Sequence, residues 1–128
     1  MEDPLFILVI EDDAAVQGLV EEALSDAGFE PAIAASGEEA VTLLQGGQAR
    51  YLALVTDIGL RGRMDGWEVG RQAREIDPGF PIVYMTGAHA DQWASQGVPN
   101  SVLLTKPFAP AQLVTAVSQL VNAAPRAT

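Results

Sequence analysis

Five short apolar runs recur along the chain, at Leu5–Ile10, Ala32–Ala35, Leu52–Thr56, Ile82–Thr86 and Val102–Leu104. Hydrophobic side chains are nearly continuous within each, without the alternation of a strand that is wet on one face. Such runs predict strands covered on both sides. Between them the spacing becomes that of amphipathic helices, near 14–27, 37–46, 66–76, 89–96 and 109–123. In the first helix Val16, Leu19, Val20, Ala23, Leu24 and Ala27 make one stripe, while Gln17, Glu21, Glu22, Ser25 and Asp26 face outward. Asp13 is placed to cap its start and Gly28 to end it. Ser36 with Glu39 three residues on is the capping-box pattern for the second helix.

Strand and helix alternate five times with short connections. This predicts an α/β fold with one parallel sheet, right-handed crossovers and helices on both faces. Pro31 opens the second strand and suits a sheet edge, because it has no amide hydrogen to give an inner ladder. The doubly wound five-stranded order 2-1-3-4-5 puts that strand at the edge. It also puts a ligand outside the carboxyl ends of the strands, where strands 1 and 3 diverge. One domain accounts for all 128 residues, with a core over about 5–123 and frayed residues at 124–128.

Composition then narrows the class of function. Hydrophobic residues make up 48% and charged residues 19%, the balance of a chain with a core. The absence of cysteine excludes disulfides, thiolate metal sites and cysteine nucleophiles, and the single His89 excludes a histidine-rich metal centre. Seventeen acidic against seven basic residues give a net charge of −10. That charge repels phosphate backbones and anionic lipid. No apolar run approaches the ~20 residues of a membrane span, and the acidic start Met1–Pro4 is unlike a signal peptide. The expectation is a cytoplasmic acidic protein that binds neither nucleic acid nor membrane.

Polar residues follow directly on four of the apolar runs. Glu11-Asp12-Asp13 follow strand 1, Asp57 follows strand 3, Thr86 ends strand 4, and Thr105-Lys106-Pro107 follow strand 5. The predicted topology collects all four ends on one rim. Carboxylates meeting there repel one another and call for a cation, and an all-oxygen set that leaves room for water and phosphate favours Mg²⁺ over zinc or copper. A lysine and a hydroxyl at the same rim suit an incoming phosphoryl group, for which a carboxylate can serve as nucleophile.

These residues resemble the receiver domain of bacterial response regulators, of the chemotaxis-regulator type. The matching motifs are LVIEDD (8–13), LVTD (54–57), MDGWE (64–68), PIVYMTG (81–87) and LLTKPF (103–108), in order over essentially the whole chain. The resemblance implies the flavodoxin-like form of the doubly wound sheet, with five helices. It implies that Asp57 accepts a phosphoryl group from a phosphohistidine on a sensor histidine kinase or histidine phosphotransfer protein. Mg²⁺, or Mn²⁺ in its place, is then held directly by Asp12 and Asp57, through water by Glu11, and by the Gly59 carbonyl. Lys106 bonds the phosphoryl oxygen and Thr86 moves to meet it. Lys106-Pro107 is expected to be a cis peptide. The only catalysis expected is of the chain's own phosphorylation and dephosphorylation. Asp13 is read as a helix cap and Asp65-Gly66 as a turn or cap. His89 is read as an exposed residue at a helix start, and Trp67 and Trp93 as packing residues.

Three features depart from the family pattern. The loop Ile58–Gly66 is one residue longer than usual, lacks the usual proline, and carries Arg61 and Arg63. Leu103 stands where an aromatic residue rotates inward on activation. Glu11 replaces the usual first aspartate. The last helix buries Leu113, Val114, Val117, Leu120 and Val121 and turns out an uncharged face of Gln112, Thr115, Ser118, Gln119 and Asn122. Charged pairs of the kind that join receiver dimers are missing there. The expected output is therefore contact with a downstream protein, from a monomer or weak dimer. Two other readings stand beside this one: a docking module of the same fold that works without phosphorylation, and a receiver fragment of a larger hybrid kinase or regulator. A toprim-type enzyme is disfavoured, because Gly59 stands where that class needs a second aspartate.

Overall fold

The computed structural model describes residues 5–47, 49–60 and 62–123. Expectations for Met1–Pro4, Arg61 and residues 124–128 lie outside the described residues. Five strands, β1 (Phe6–Ile10), β2 (Glu30–Ala34), β3 (Tyr51–Asp57), β4 (Ile82–Thr86) and β5 (Val102–Thr105), form one sheet in the order β2-β1-β3-β4-β5. Every pairing is parallel. The crossovers are α1 (Ala14–Asp26), α2 (Gly37–Gly46), α3 (Gly66–Ile76) and the short α4 (Trp93–Gln96), and α5 (Pro110–Ala123) follows β5. The predicted topology and the edge position of β2 are both present.

Successive strand residues point to opposite faces, so the apolar runs feed two cores. Ile7, Val9, Val55 and Val83 pack with Leu24 of α1 and Leu113 and Val117 of α5. Leu8, Ile10, Leu54 and Ile82 pack on the other face with Val41 of α2 and Trp67 and Val69 of α3. The caps are as read: Asp13 accepts from the Ala15 and Val16 amides, Ser36 from Glu39 and Asp65 from Glu68. Among the described residues no helix is long and apolar enough to cross a membrane.

The structure corrects several local expectations. β2 spans Glu30–Ala34, so it takes in Pro31 as expected, begins one residue before it and stops short of Ala35, and β3 runs on through Asp57. Leu19 and Ala27 of the predicted α1 stripe lie at the surface instead. The helix expected over 89–96 is a 3₁₀ turn, Ala90–Gln92, followed by the single turn of α4. No residue of that stretch is buried, so no apolar face sustains a longer helix. Pro99 also biases Val98 away from helical backbone. Trp67 is buried as predicted, whereas Trp93 is 37% exposed and donates its indole N–H to Ser101 Oγ at 3.0 Å.

Tyr84 of β4 is fully buried, and burial pushes its phenol above the ordinary value of 10.0. The unfolded chain therefore ionises this group first. Its contribution to stability is complete below about pH 10 and is lost as pH rises from there through the folded value. Urea midpoints measured across that range will fall, and the fall will be shallower in Tyr84→Phe. Equal slopes would contradict the assignment.

Candidate functional site

Parallel strands bring Glu11, Asp57, Thr86 and Lys106 to one rim from positions far apart in sequence. The structure gathers ligand oxygens of Glu11, Asp12 and Asp57 within 4.8 Å of one another. Asp13, the third acid of the run, is turned away to cap α1. Lys106 closes the group, with its ammonium 2.6 Å from Glu11 Oε1 and 3.4 Å from Asp57 Oδ1. The peptide Lys106-Pro107 is cis, as expected. The Lys106 amide donates to the Thr86 carbonyl at 2.8 Å, tying the β5 end to the β4 end.

The Glu11 side chain is 1% exposed and that of Asp57 14%, so Glu11 is enclosed while Asp57 still reaches solvent. Burial pushes the Glu11 carboxyl up, against the opposing pull of Lys106 and of the Asp13 amide, which donates to Oε2 at 3.1 Å. Burial alone would lower Lys106. Its hydrogen bond to Glu11 and the charges of Asp57 and Glu11 together hold it above its ordinary value. Asp57 Oδ1 accepts the Ile58 amide at 2.9 Å and also faces Lys106. Both contacts fall on Oδ1 and none of them on Oδ2.

Two supporting residues were not read correctly from the sequence. Gln17 was expected to face outward, yet it is half-buried and its amide donates to the Glu11 carbonyl. Asp65-Gly66 is expected as a turn or cap outside the site; Asp65 does cap α3, but Gly66 also supports the site. A Cβ there would lie 2.2 Å from the Asp57 carbonyl oxygen and 2.8 Å from Ile58 Cα. Its amide also donates to the Ile58 carbonyl at 3.0 Å, so α3 starts pressed against the strand end that carries Asp57. Close backbone approach of this kind leaves no signal in hydropathy.

Thr86 is 1% exposed, and its hydroxyl oxygen accepts the amides of Ala88 and His89 at 3.2 and 2.8 Å. His89 is half-buried rather than exposed, with Nε2 4.0 Å from where a Gly59 Cβ would stand. It therefore borders the site from the β4 side. Gly59 itself is exposed at the start of the loop after β3. Farther along, Gly62 adopts φ +100° and the Arg63 amide donates to Glu38 Oε2 at 3.3 Å, so the loop lies against the start of α2. Leu103 is half-buried and pairs in register with Tyr84. The outer face of α5 is uncharged as read, and beside it a shallow groove is lined by Val102, Leu104, Ala111, Thr115 and Ala116.

Hard oxygen donors with a lysine alongside fit Mg²⁺ and not a soft metal. Comparison with known proteins agrees with that chemistry. The response regulator receiver domain model matches residues 7–118. The chain is 34% identical over 120 residues to the response regulator receiver protein CpdR of Brucella abortus, covering 92% of this chain and 98% of that protein. It is 32% identical over 121 residues to the response regulator MprA of Mycolicibacterium vanbaalenii, of which it spans 51%. A receiver protein from Sinorhizobium medicae superposes with a TM-score of 0.90 at 49% identity, over 94% of this chain and 96% of that one. The receiver domain of the sensor histidine kinase PA1611 from Pseudomonas aeruginosa, solved with magnesium in its active-site cleft, gives 0.81 at 26% identity, covering 94% and 99%. The four strand-end motifs, the MDGWE segment that opens α3, the acidic cluster and these matches agree that the chain belongs to the response regulator receiver family.

Proposed function

We propose that this protein is a phosphorylation-switched signalling receiver in which Asp57 is the phosphoacceptor. The observation that carries the reading is the meeting of Glu11, Asp12 and Asp57 within 4.8 Å, with Lys106 against two of them. Asp12, Asp57 and the Gly59 carbonyl, with Glu11 through water, would hold Mg²⁺, which would supply positive charge against the carboxylates and the incoming phosphoryl oxygens.

The rest is the work of the chain's own groups. The Ile58 amide fixes the Asp57 rotamer through Oδ1 and leaves Oδ2 to attack phosphorus. A bond forms between that oxygen and phosphorus. The phosphorus–nitrogen bond of the donor phosphohistidine breaks, and its electron pair returns to the imidazole. Lys106 then turns from its 2.6 Å contact with Glu11 to a phosphoryl oxygen, which adds three strong acceptors beside it. The Thr86 hydroxyl is drawn the same way. In turning, it gives up the amides of Ala88 and His89, so the loop after β4 is released.

The donor is a sensor histidine kinase or a histidine phosphotransfer protein, and the output is contact with a downstream protein in the cytoplasm. The chain acts on no substrate beyond its own phosphoryl group. The uncharged outer face of α5 supports a protein partner over nucleic acid. Transfer of labelled phosphoryl from a phosphohistidine donor, with Mg²⁺ and with chelator, tests the reading. Uptake that chelator abolishes is expected. No uptake under either condition would leave a docking module of the same fold.

Asp12 gives a separate prediction. Asp12→Ala removes a direct ligand and will weaken Mg²⁺ binding at least tenfold, or about 1.4 kcal/mol. Calorimetric titration of both forms checks it, and equal affinities would contradict the ligand set.

A further inference from the structure

The stretch from Thr86 to Pro99 is held in place by polar bonds and hardly at all by apolar burial. Neither the turn Ala90–Gln92 nor α4 contributes a buried residue. At its start the Thr86 hydroxyl accepts the Ala88 and His89 amides. In the middle Trp67 Nε1 donates to Gln92 Oε1 at 3.1 Å, and Arg71 Nη1 donates to the Gln96 carbonyl and to its Oε1 at 3.4 and 3.3 Å. At its end the Tyr84 hydroxyl accepts the Val98 amide at 3.2 Å, and Arg74 Nη1 donates to the Pro99 carbonyl at 2.6 Å.

These partners have a common origin. Trp67, Arg71 and Arg74 are spaced four and three residues apart and lie on one face of α3. Tyr84 lies beneath them, fully buried, with its ring 4.7 Å from that of Trp67. Gly70 makes room for it, since a Cβ there would stand 2.2 Å from the Tyr84 hydroxyl. Tyr84 is two residues before Thr86 on β4 and pairs with Leu103 on β5. Tyr84 is therefore held between Trp67, Gly70 and the Val98 amide.

We propose that α3 and Tyr84 form a latch that holds the 87–99 segment in its resting position, and that the segment leaves the latch when Thr86 turns toward a phosphoryl group on Asp57. This rests on the phosphorylation reading and adds which contacts resist the switch. The energetics suit it. Each such bond shifts an equilibrium by roughly two- to tenfold. A four-residue helix does not sustain itself. Losing the two Thr86 bonds therefore tips a balance that the α3 bonds keep close, and weakening those bonds tips it without phosphorylation.

Amide exchange of the full chain, with and without Mg²⁺ and beryllofluoride as a phosphoryl mimic, tests the latch. In the wild type the mimic speeds exchange over 88–98. Tyr84→Phe keeps the ring but loses the acceptor for Val98, and Arg71→Ala loses the bonds to Gln96. Without mimic, each will exchange over 88–98 at least threefold faster than wild type. Amides of β1 and β3 will be unchanged, and the further response to mimic will be smaller. Arg71→Lys, which still donates to Gln96, restores the wild-type rate. Wild-type exchange in both variants, or acceleration spread evenly over the sheet, would overturn the latch. A wild-type chain blind to the mimic, with the variants still fast without it, would instead overturn the phosphorylation reading and the Thr86 trigger.

Discussion

An Asp57→Asn chain takes up no phosphoryl group from any donor, while its fold survives. The substitution preserves shape, so the side-chain oxygen still accepts the Ile58 amide and α3 still starts against the strand end. What disappears is the anionic nucleophile. An amide oxygen does not form the acyl phosphate, and the carboxylates that remain in the cluster, Glu11 and Asp12, follow β1 rather than β3, with Glu11 held by Lys106 at 2.6 Å. The Lys106–Glu11 contact at 2.6 Å is untouched, so unfolding should lie within about 1 kcal/mol of wild type. Label transfer and urea denaturation, run side by side, separate loss of chemistry from loss of fold. Uptake at the wild-type rate would move the phosphoacceptor elsewhere.

Gly66→Ala is expected to damage both. Its Cβ would enter a space 2.2 Å from the Asp57 carbonyl oxygen and 2.8 Å from Ile58 Cα. Both neighbours are backbone and cannot swing aside. Relief requires either α3 or the end of β3 to shift, at a cost of typically 1–3 kcal/mol. A shift of about 1 Å in Asp57 can slow phosphoryl transfer by around 100-fold even where substrate binding persists. Denaturation midpoint and transfer rate should therefore fall together. A variant with wild-type stability and rate would show that α3 does not position Asp57.

Those two residues also show what could be read in advance. Asp57 was legible because it directly follows an apolar run, and a parallel sheet delivers every such residue to one rim. Glu11 and Lys106 meet across 95 positions of sequence for the same reason. Pro31 likewise announced the sheet edge by its missing amide hydrogen. Gly66 and Gln17 were missed because each meets a backbone carbonyl, one nine residues from Asp57 and the other six from Glu11, and hydropathy is silent on such contacts.

The helix expected over 89–96 failed for a different reason. Its spacing resembles an amphipathic pattern, but its position depends on donors in α3 that look like ordinary surface residues. Arg71 and Arg74 acquire their meaning only when Gln96 and Pro99 are seen beside them. His89, read as a surface residue, was misplaced because its amide is fixed by the Thr86 hydroxyl, which turns the imidazole toward Gly59.

The central claim, that the rim of β1, β3 and β5 makes Asp57 a metal-dependent phosphoacceptor, is tested most directly by intact-mass and peptide mass spectrometry. The chain is incubated with a small-molecule phosphodonor and Mg²⁺. The account predicts a gain of about 80 Da, one phosphoryl group, on the peptide carrying Asp57. That gain should be absent with chelator and lost on incubation at alkaline pH, as an acyl phosphate requires. No adduct, or a stable adduct on another residue, would contradict it.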